Sequence, residues 1–146
     1  MKSNLEIINN KQNINKLEHF VESFSDQVCL DSALSGVLLV VSDRIFEIAC
    51  SAGANETLKF QINSQTDCLW CNWYLGKDSF NKVQRWMEDN TDSMLYRLAN
   101  NWVWNDDEFL LGFEILNPSL SQQLSVNRRH QLIGYLGNNK KHAKST

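Results

Sequence analysis

The sequence predicts one α+β domain: an antiparallel sheet of about five to six strands with an N-terminal helix, a long central helix and a short C-terminal helix. Three observations lead there. The chain has 146 residues, 42% of them hydrophobic, with five Trp and seven Phe, enough apolar bulk to offset chain entropy in a single core. Apolar residues recur at helical spacing in some segments and alternate or cluster in others. The strand-like segments follow one another across short turns, without the Gly-rich strand–helix turn of a nucleotide-binding parallel sheet.

Residues 1–12 are polar and Asn-rich and, like 138–146, are expected to be flexible ends of a single domain, 1–146. Ile14, Leu17, Phe20, Val21 and Phe24 fall on one face of a helix that Asn13 can cap. The run Gly36–Ser42 is β-branched and continuously apolar, and predicts a strand covered on both faces. Ser42-Asp43-Arg44 then reads as a turn into a hairpin partner, Ile45–Cys50. Leu58–Ile62 alternates as a third strand, and Cys68–Leu75 reads as a fourth strand or an extended connection.

Gly76-Lys77-Asp78 opens the long helix, with Asp78 suited to capping and to the positive end of the helix dipole. Phe80, Val83, Trp86, Met87, Met94, Leu95 and Leu98 keep the helical period, and the polar Asp89–Asp92 segment interrupts it. Asn101–Trp104 and Phe109–Leu116 predict two more strands joined across Asn105–Glu108. A closing helix is expected over Val126–Leu136, ending at Gly137.

Composition narrows the function. A formal charge of −3 and a pI near 5.6 disfavour nucleic acid, whose binders carry basic stripes that neutralise phosphates. The basic groups Arg128-Arg129 and Lys140-Lys141-His142-Ala143-Lys144 read as solvated residues near the chain end. No apolar run approaches the roughly 20 residues that span a bilayer, and the start of the chain lacks the apolar core of a signal peptide. A cytoplasmic protein with four reduced cysteines is expected. An Asn- and Lys-rich composition with a single Pro points to an AT-rich bacterial or phage gene.

Chemistry-bearing residues are few. Cys68-Leu69-Trp70-Cys71 has redox spacing, but in a strand its thiols face opposite sides, and no helix N-terminus lies there to stabilise a thiolate. Zinc would need two further ligands among Cys29, Cys50, His19, His130 and His142, which form no second knuckle. No nucleophile signature accompanies the histidines, and Asp106-Asp107-Glu108 lacks the ligand spacing of a calcium loop. The expectation is no catalytic residue, metal or cofactor, and a domain that works by binding another protein. Trp70 and Trp104 are candidate anchors, because Trp concentrates binding energy at interfaces.

Two segments carry a resemblance. Leu95-Tyr96-Arg97-Leu98-Ala99-Asn100-Asn101-Trp102-Val103-Trp104 looks like a helix that ends in an Ala-Asn step before an aromatic strand. Phe109–Leu116 looks like the strand that follows. With the order of elements, these resemble the class I effector chaperones of bacterial type III secretion systems. That resemblance implies an α–β–β–β–α–β–β–α order and a homodimer through the long helix, here by Trp86, Met87 and Met94. It also implies a secreted effector wrapped in extended form, with Phe46, Ile48, Leu58, Phe60, Ile62, Trp70 and Trp104 as candidate partner-binding residues. Only Tyr74-Leu75-Gly76 stands where the family carries a longer Leu-Gly-x-Leu-Pro-like segment. The alternatives are an immunity or inhibitor protein whose acidic patches face a basic toxin, and a thiol redox protein using Cys68 and Cys71.

Overall fold

Alternation along the strands sorts the large apolar side chains onto one side of a single sheet. The computed structural model describes residues 1–53 and 55–116. Their elements run β1 (Lys2–Ile8), a 3-10 turn (Lys11–Asn13), α1 (Ile14–Gln27), α2 (Ser32–Cys50), β2 (Thr57–Ser64), β3 (Cys68–Tyr74), α3 (Lys77–Asp89), α4 (Met94–Leu98), β4 (Asn100–Asn105) and β5 (Leu110–Leu116). The five strands form one antiparallel sheet in the order β1-β2-β3-β5-β4. The class is α+β, as the sequence predicts.

Leu58, Phe60 and Ile62 of β2, Leu69, Cys71 and Trp73 of β3, and Leu111, Phe113 and Ile115 of β5 are buried in one core. The register sets Phe60 opposite Trp73 and Trp73 opposite Leu111. Three helices cover this face, each through an aromatic ring. Phe20 of α1 meets Phe60 at 6.0 Å, Phe46 of α2 meets Trp73 at 6.4 Å, and Phe80 of α3 meets Trp104 at 5.7 Å. Phe60 and Trp73 stack at 4.2 Å in the middle. The opposite face is largely polar; there Gln61 Nε2 donates to Asn4 Oδ1 at 2.7 Å.

Residues 36–50 depart from the expected hairpin: they belong to one 19-residue helix, α2. Asp31 caps it, its Oδ1 accepting from the Leu34 N–H at 2.8 Å. The continuous apolar run arises because α2 lies between α1 and α3 and over β3, so it buries side chains on several sides. Its buried Leu34, Leu38, Val41, Ile45 and Ile48 still recur at spacings of three and four, but the Val37, Leu39 and Val40 between them overlie that period in the sequence. Ser42, read as a turn residue, is wholly buried mid-helix. The β-branched valines cost only tenths of a kcal/mol each in helix propensity, far less than the burial they supply.

Residues 2–8, expected to lie in a flexible end, form the edge strand β1, with Ile7 buried and Leu5 half-buried beside β2. Through residue 116 the order is thus β–α–α–β–β–α–α–β–β, where the chaperone resemblance implied α–β–β–β–α–β–β. The long helix is broken at the acidic segment, α3 ending at Asp89 and α4 starting at Met94. Asn90 Nδ2 donates back to the Trp86 carbonyl at 2.8 Å, closing the end of α3 where the break begins. The helix expected over Val126–Leu136 and the end at 138–146 lie outside the described residues.

Two capping expectations change. Asn13 occupies the N-cap of α1, but its side chain donates back to the Ile8 carbonyl at 3.0 Å. Asp78 sits in the first turn of α3, and Gly76 holds the cap position with no side chain to use. A carboxylate from elsewhere in the chain replaces it. Glu56, just before β2, accepts from the backbone N–H of Ser79 at 2.8 Å and of Asp78 at 3.1 Å, and from the Ser79 hydroxyl. Asn9, buried after β1, locks the arrangement: its Oδ1 accepts from Glu56 N–H at 2.7 Å, and its Nδ2 donates to Ala49 O and Ser79 Oγ. A Cβ at Gly76 would stand 2.2 Å from the Glu56 carboxyl.

The end of α1 is also specific. Leu30 N–H reaches Ser25 O at 3.0 Å and Cys29 N–H reaches Asp26 O at 3.3 Å, a Schellman arrangement with Cys29 at φ 53°. A side chain in that left-handed conformation costs roughly 1 kcal/mol. Cys29→Gly is therefore expected to raise unfolding stability by about 0.5–1 kcal/mol in urea titration. A decrease would show that the exposed Cys29 side chain contributes contacts the backbone reading omits. Asn9→Ala leaves Glu56 N–H without a partner, while Ala49 O keeps Ala52 N–H and Ser79 Oγ keeps the Glu56 carboxylate, and is expected to cost about 1–3 kcal/mol; a loss well below 1 kcal/mol would mean that water replaces Asn9.

Candidate functional site

The helix layer that covers the sheet leaves its own outer side open. On α2, Ala33, Gly36, Val40, Arg44 and Glu47 face outward and are exposed. A groove opens between this side of α2 and the α3–α4 pair. Trp86 of α3 stands half-buried in its middle, with the Arg44 guanidinium 5.0 Å from the ring centroid and 3.3 Å from the Glu47 carboxylate. The Arg44–Trp86 pair adjoins two depressions. One, about 490 Å³, has Ile14, Phe46, Ile48 and Cys50 in its lining. The other, about 460 Å³, is lined by Val40, Met94, Leu95 and Leu98. Val40 is 53% exposed and Met94 71%, high values for apolar side chains on a helix.

Acid gathers along the α1–α2 seam beside the groove. Asp43 lines the second depression, and its Oδ1 is enclosed with no hydrogen-bond partner among the described residues. Burial, followed by the Glu18 carboxyl that hydrogen-bonds to it and the charges of Glu18 and Glu47, pushes Asp43 up to about 8. Charge is unevenly distributed along the chain as well. Of the 14 Lys and Arg, five lie in residues 117–146, which hold none of the 17 Asp and Glu; residues 1–116 therefore carry nine cations against 17 anions, a formal −8, and residues 117–146 carry +5.

The residues singled out in the sequence scatter across the fold. Phe46, Ile48, Trp86 and Met94 come together at the groove, with Phe46 fully covered beneath it. Leu58, Phe60, Ile62 and Met87 are buried in the core and offer no surface in this state. Phe46 and Ile48 are helical, not sheet residues as expected. Trp104 packs edge-on against Phe80 on the core side, while Trp70 pairs with Glu114 on the opposite face of the sheet. Val40, Arg44 and Leu98 were missed as groove residues, two of them because α2 reads as a hairpin. The usable signal was spacing: Leu34, Leu38, Val41, Ile45 and Ile48 recur at intervals of three and four across 34–50.

The reactive candidates are poorly placed for chemistry. Cys71 points into the core while Cys68, three residues away in β3, lies on the other face. Burial, then the charges of Glu114 and Asp67, raises the Cys68 thiol to about 12, and burial raises Cys71 further. Both stay protonated thiols. His19 is exposed on α1. No group of three or more His, Cys, Asp or Glu is arranged to hold a metal among the described residues, and none of their helices is long and apolar enough to cross a membrane. No protein-family model matches the chain, and no curated protein matches it significantly.

Opposite pH slopes follow from two carboxyls. Asp43 binds a proton in the folded state that the unfolded chain releases near 3.8, so its contribution is present below that value and is lost as pH rises toward about 8. Burial alone would raise Glu56, but its hydrogen bonds from Ser79 and Asp78 outweigh this and lower it, so its contribution is present above about 4.5 and is lost as pH falls. Stability measured by urea titration is expected to peak near pH 4, where the Glu56 contribution is nearly complete and that of Asp43 has only begun to be lost. Asp43→Asn is expected to flatten the decline toward pH 8 and add roughly 1 kcal/mol there, after allowance for solvent screening of a partly exposed group. An unchanged slope in that variant would remove Asp43 as its source.

Proposed function

We propose that this chain is a non-catalytic protein-binding module that holds an extended segment of a partner along the α2/α3–α4 groove. The observation that carries the reading is the groove itself, with Val40 and Met94 exposed in one depression beside the Arg44–Trp86 pair. Apolar side chains in such a place are covered at a gain of about 25 cal/mol per Å² of area removed from water. An aromatic ring capped by Arg has the composition of an interface anchor. The net −8 of residues 1–116 and the Glu18–Asp43–Glu47 acids favour a segment that carries Lys or Arg among apolar residues.

Within that reading, the narrower proposal is a cytoplasmic type III secretion chaperone that works as a homodimer on a secreted effector. Its support is the Leu95–Trp104 segment, where α4 ends at Leu98 and β4 begins at Asn100 after the Ala-Asn step. The second reading, an immunity protein against a toxin, draws on the acidic charge alone. A chaperone retains an extended, protease-sensitive segment. An immunity protein binds a folded domain, with an association rate that falls steeply with salt.

The test is affinity capture from the native cells with wild-type chain and with the Val40→Lys, Met94→Lys double variant. Both positions are exposed, so the fold is expected to survive, which circular dichroism checks. A partner held in the groove is expected to be lost at least tenfold in the variant and kept by Val103→Lys, an exposed apolar position on β4. Equal recovery with both variants would reject the groove, and a captured partner that resists limited proteolysis throughout would reject the chaperone reading.

A further inference from the structure

We propose that the outer edge of β1 is a self-pairing surface. There β1 of a second copy of this chain adds antiparallel, with Lys2 of one copy opposite Glu6 of the other, and joins two sheets into one. The proposal is independent of the groove.

The phase of the β1–β2 ladder identifies the free backbone groups. Ser64 N–H donates to Met1 O at 2.8 Å at one end, and Asn9 N–H donates to Glu56 O at 3.1 Å at the other. Both bonds follow the register that pairs Ser3 with Ile62, Leu5 with Phe60 and Ile7 with Leu58. Hydrogen-bonded and non-hydrogen-bonded pairs alternate along an antiparallel ladder, so Ser3, Leu5 and Ile7 direct their N–H and C=O to β2. Those of Lys2, Asn4, Glu6 and Ile8 point away from the sheet. Among the described residues no strand lies against that edge. The Ile8 carbonyl is engaged there, by Asn10 N–H at 2.7 Å and Asn13 Nδ2 at 3.0 Å.

The two edges of the sheet are unlike. β4 is irregular between Asn100 and Val103, with Asn101 at φ 54°, the kind of bulge that keeps an edge from pairing. β1 pairs with β2 through seven consecutive residues without a shift and holds no Pro. Its two charged side chains, Lys2 and Glu6, are exposed and make no ion pair among the described residues. A charge on an edge strand normally deters pairing. In β1 the two charges have opposite sign and lie at equal distance on either side of Asn4, so the strand complements itself.

Symmetry then selects the register. Centred on Asn4, two β1 strands set Asn4 against Asn4 and each Lys2 against a Glu6. All of these residues have outward backbone groups, so each facing pair exchanges two N–H···O bonds. Opposite charges directly across a ladder attract, and like charges repel. Centring on Lys2 or on Glu6 puts like charges face to face at the axis. Centring on Ser3 sets Lys2 against Asn4, and centring on Leu5 sets it against Ile8, whose carbonyl is already engaged; neither matches a charge. The Asn4 register alone matches them all. On the core side it lays the half-buried Leu5 of each copy beside Ser3 of the other, which removes apolar edge from water.

The experiment is sedimentation equilibrium of the full chain across the micromolar range, with circular dichroism to verify the fold of each variant. The wild-type chain is expected to dimerise. Asn4→Pro removes one outward N–H and no bond of the β1–β2 ladder, a substitution that edge strands accept, and is expected to weaken the dimer at least tenfold. Lys2→Glu and Glu6→Lys each set like charges across the axis, and each variant alone is expected to weaken the dimer at least tenfold. An equimolar mixture of these two variants matches every charge again and is expected to form a heterodimer of near wild-type strength. A chain that stays monomeric throughout would overturn the proposal. A dimer that survives Asn4→Pro and both charge variants would overturn it in favour of another face, such as the one at Trp86 and Met94. A mixture no tighter than its separate components would overturn the Asn4-centred pairing.

Discussion

Four elements meet at one buried polar node, and the placement of the groove depends on it. Asn9 follows β1, Ala49 closes α2, Glu56 precedes β2 and Ser79 begins α3, and their hydrogen bonds are mutual. The glutamate places negative charge on the positive end of α3 and satisfies N–H groups that no local side chain can reach, because Gly76 occupies the cap. A substitution here leaves buried donors unmatched, at about 1–3 kcal/mol each. The node also sets direction. With the first turn of α3 pinned to the last turn of α2, Trp86 lies roughly 10 Å along α3 at 1.5 Å per residue, alongside Arg44. The cation–ring pair at the middle of the groove is thus a consequence of capping at its end.

The aromatic rings perform the matching task across the layers. One ring per helix meets the sheet, and the 4.2 Å stack of Phe60 on Trp73 fills the center beneath α1 and α2. Such contacts fix the rotation of each helix about its own axis, since offset and edge-on geometries are favoured over face-to-face stacking. Rotation of α2 by one residue, about 100°, would bury Val40 and expose Leu39 or Val41. The outward apolar stripe is therefore fixed by Phe46 on Trp73, and exposure at Val40 follows from core packing.

How much could be read in the sequence depended on how many faces each element shows to the core. β2, β3, β4 and β5 were legible because alternation survives when one face is polar: Lys59, Gln61 and Asn63 lie opposite in phase to Leu58, Phe60 and Ile62. The sequence marked an interruption at Asp89–Asp92 but left open whether the long helix breaks there, as it does between α3 and α4. α2 was not legible: Leu34, Leu38, Val41, Ile45 and Ile48 keep a helical period, but the β-branched run Gly36–Val41 overlies it and Ser42-Asp43-Arg44 imitates a turn. β1 was masked by an Asn-rich, one-sided pattern with Leu5 and Ile7 as its only inward apolar groups. Of the groove, Trp86 and Met94 were in view, whereas Val40 and Arg44 required α2 to be a helix. Glu56 was invisible, because capping across 22 residues leaves no local spacing.

These constraints bear on what the groove can hold. A segment that covers about 400 Å² of apolar surface gains on the order of 10 kcal/mol gross. A free partner surrenders 4–15 kcal/mol of translational and rotational freedom, plus the ordering of its own side chains. The margin for a free segment is therefore narrow, and small electrostatic terms decide occupancy. Asp43 then has a specific consequence. A cation brought against it favours the carboxylate and removes the cost of keeping the acid protonated, a gain that grows as pH rises toward about 8. An apolar segment without Lys or Arg obtains no such gain. Under the proposed function, an occupant that brings a positive charge to the α1–α2 seam is therefore favoured over an apolar one of equal size.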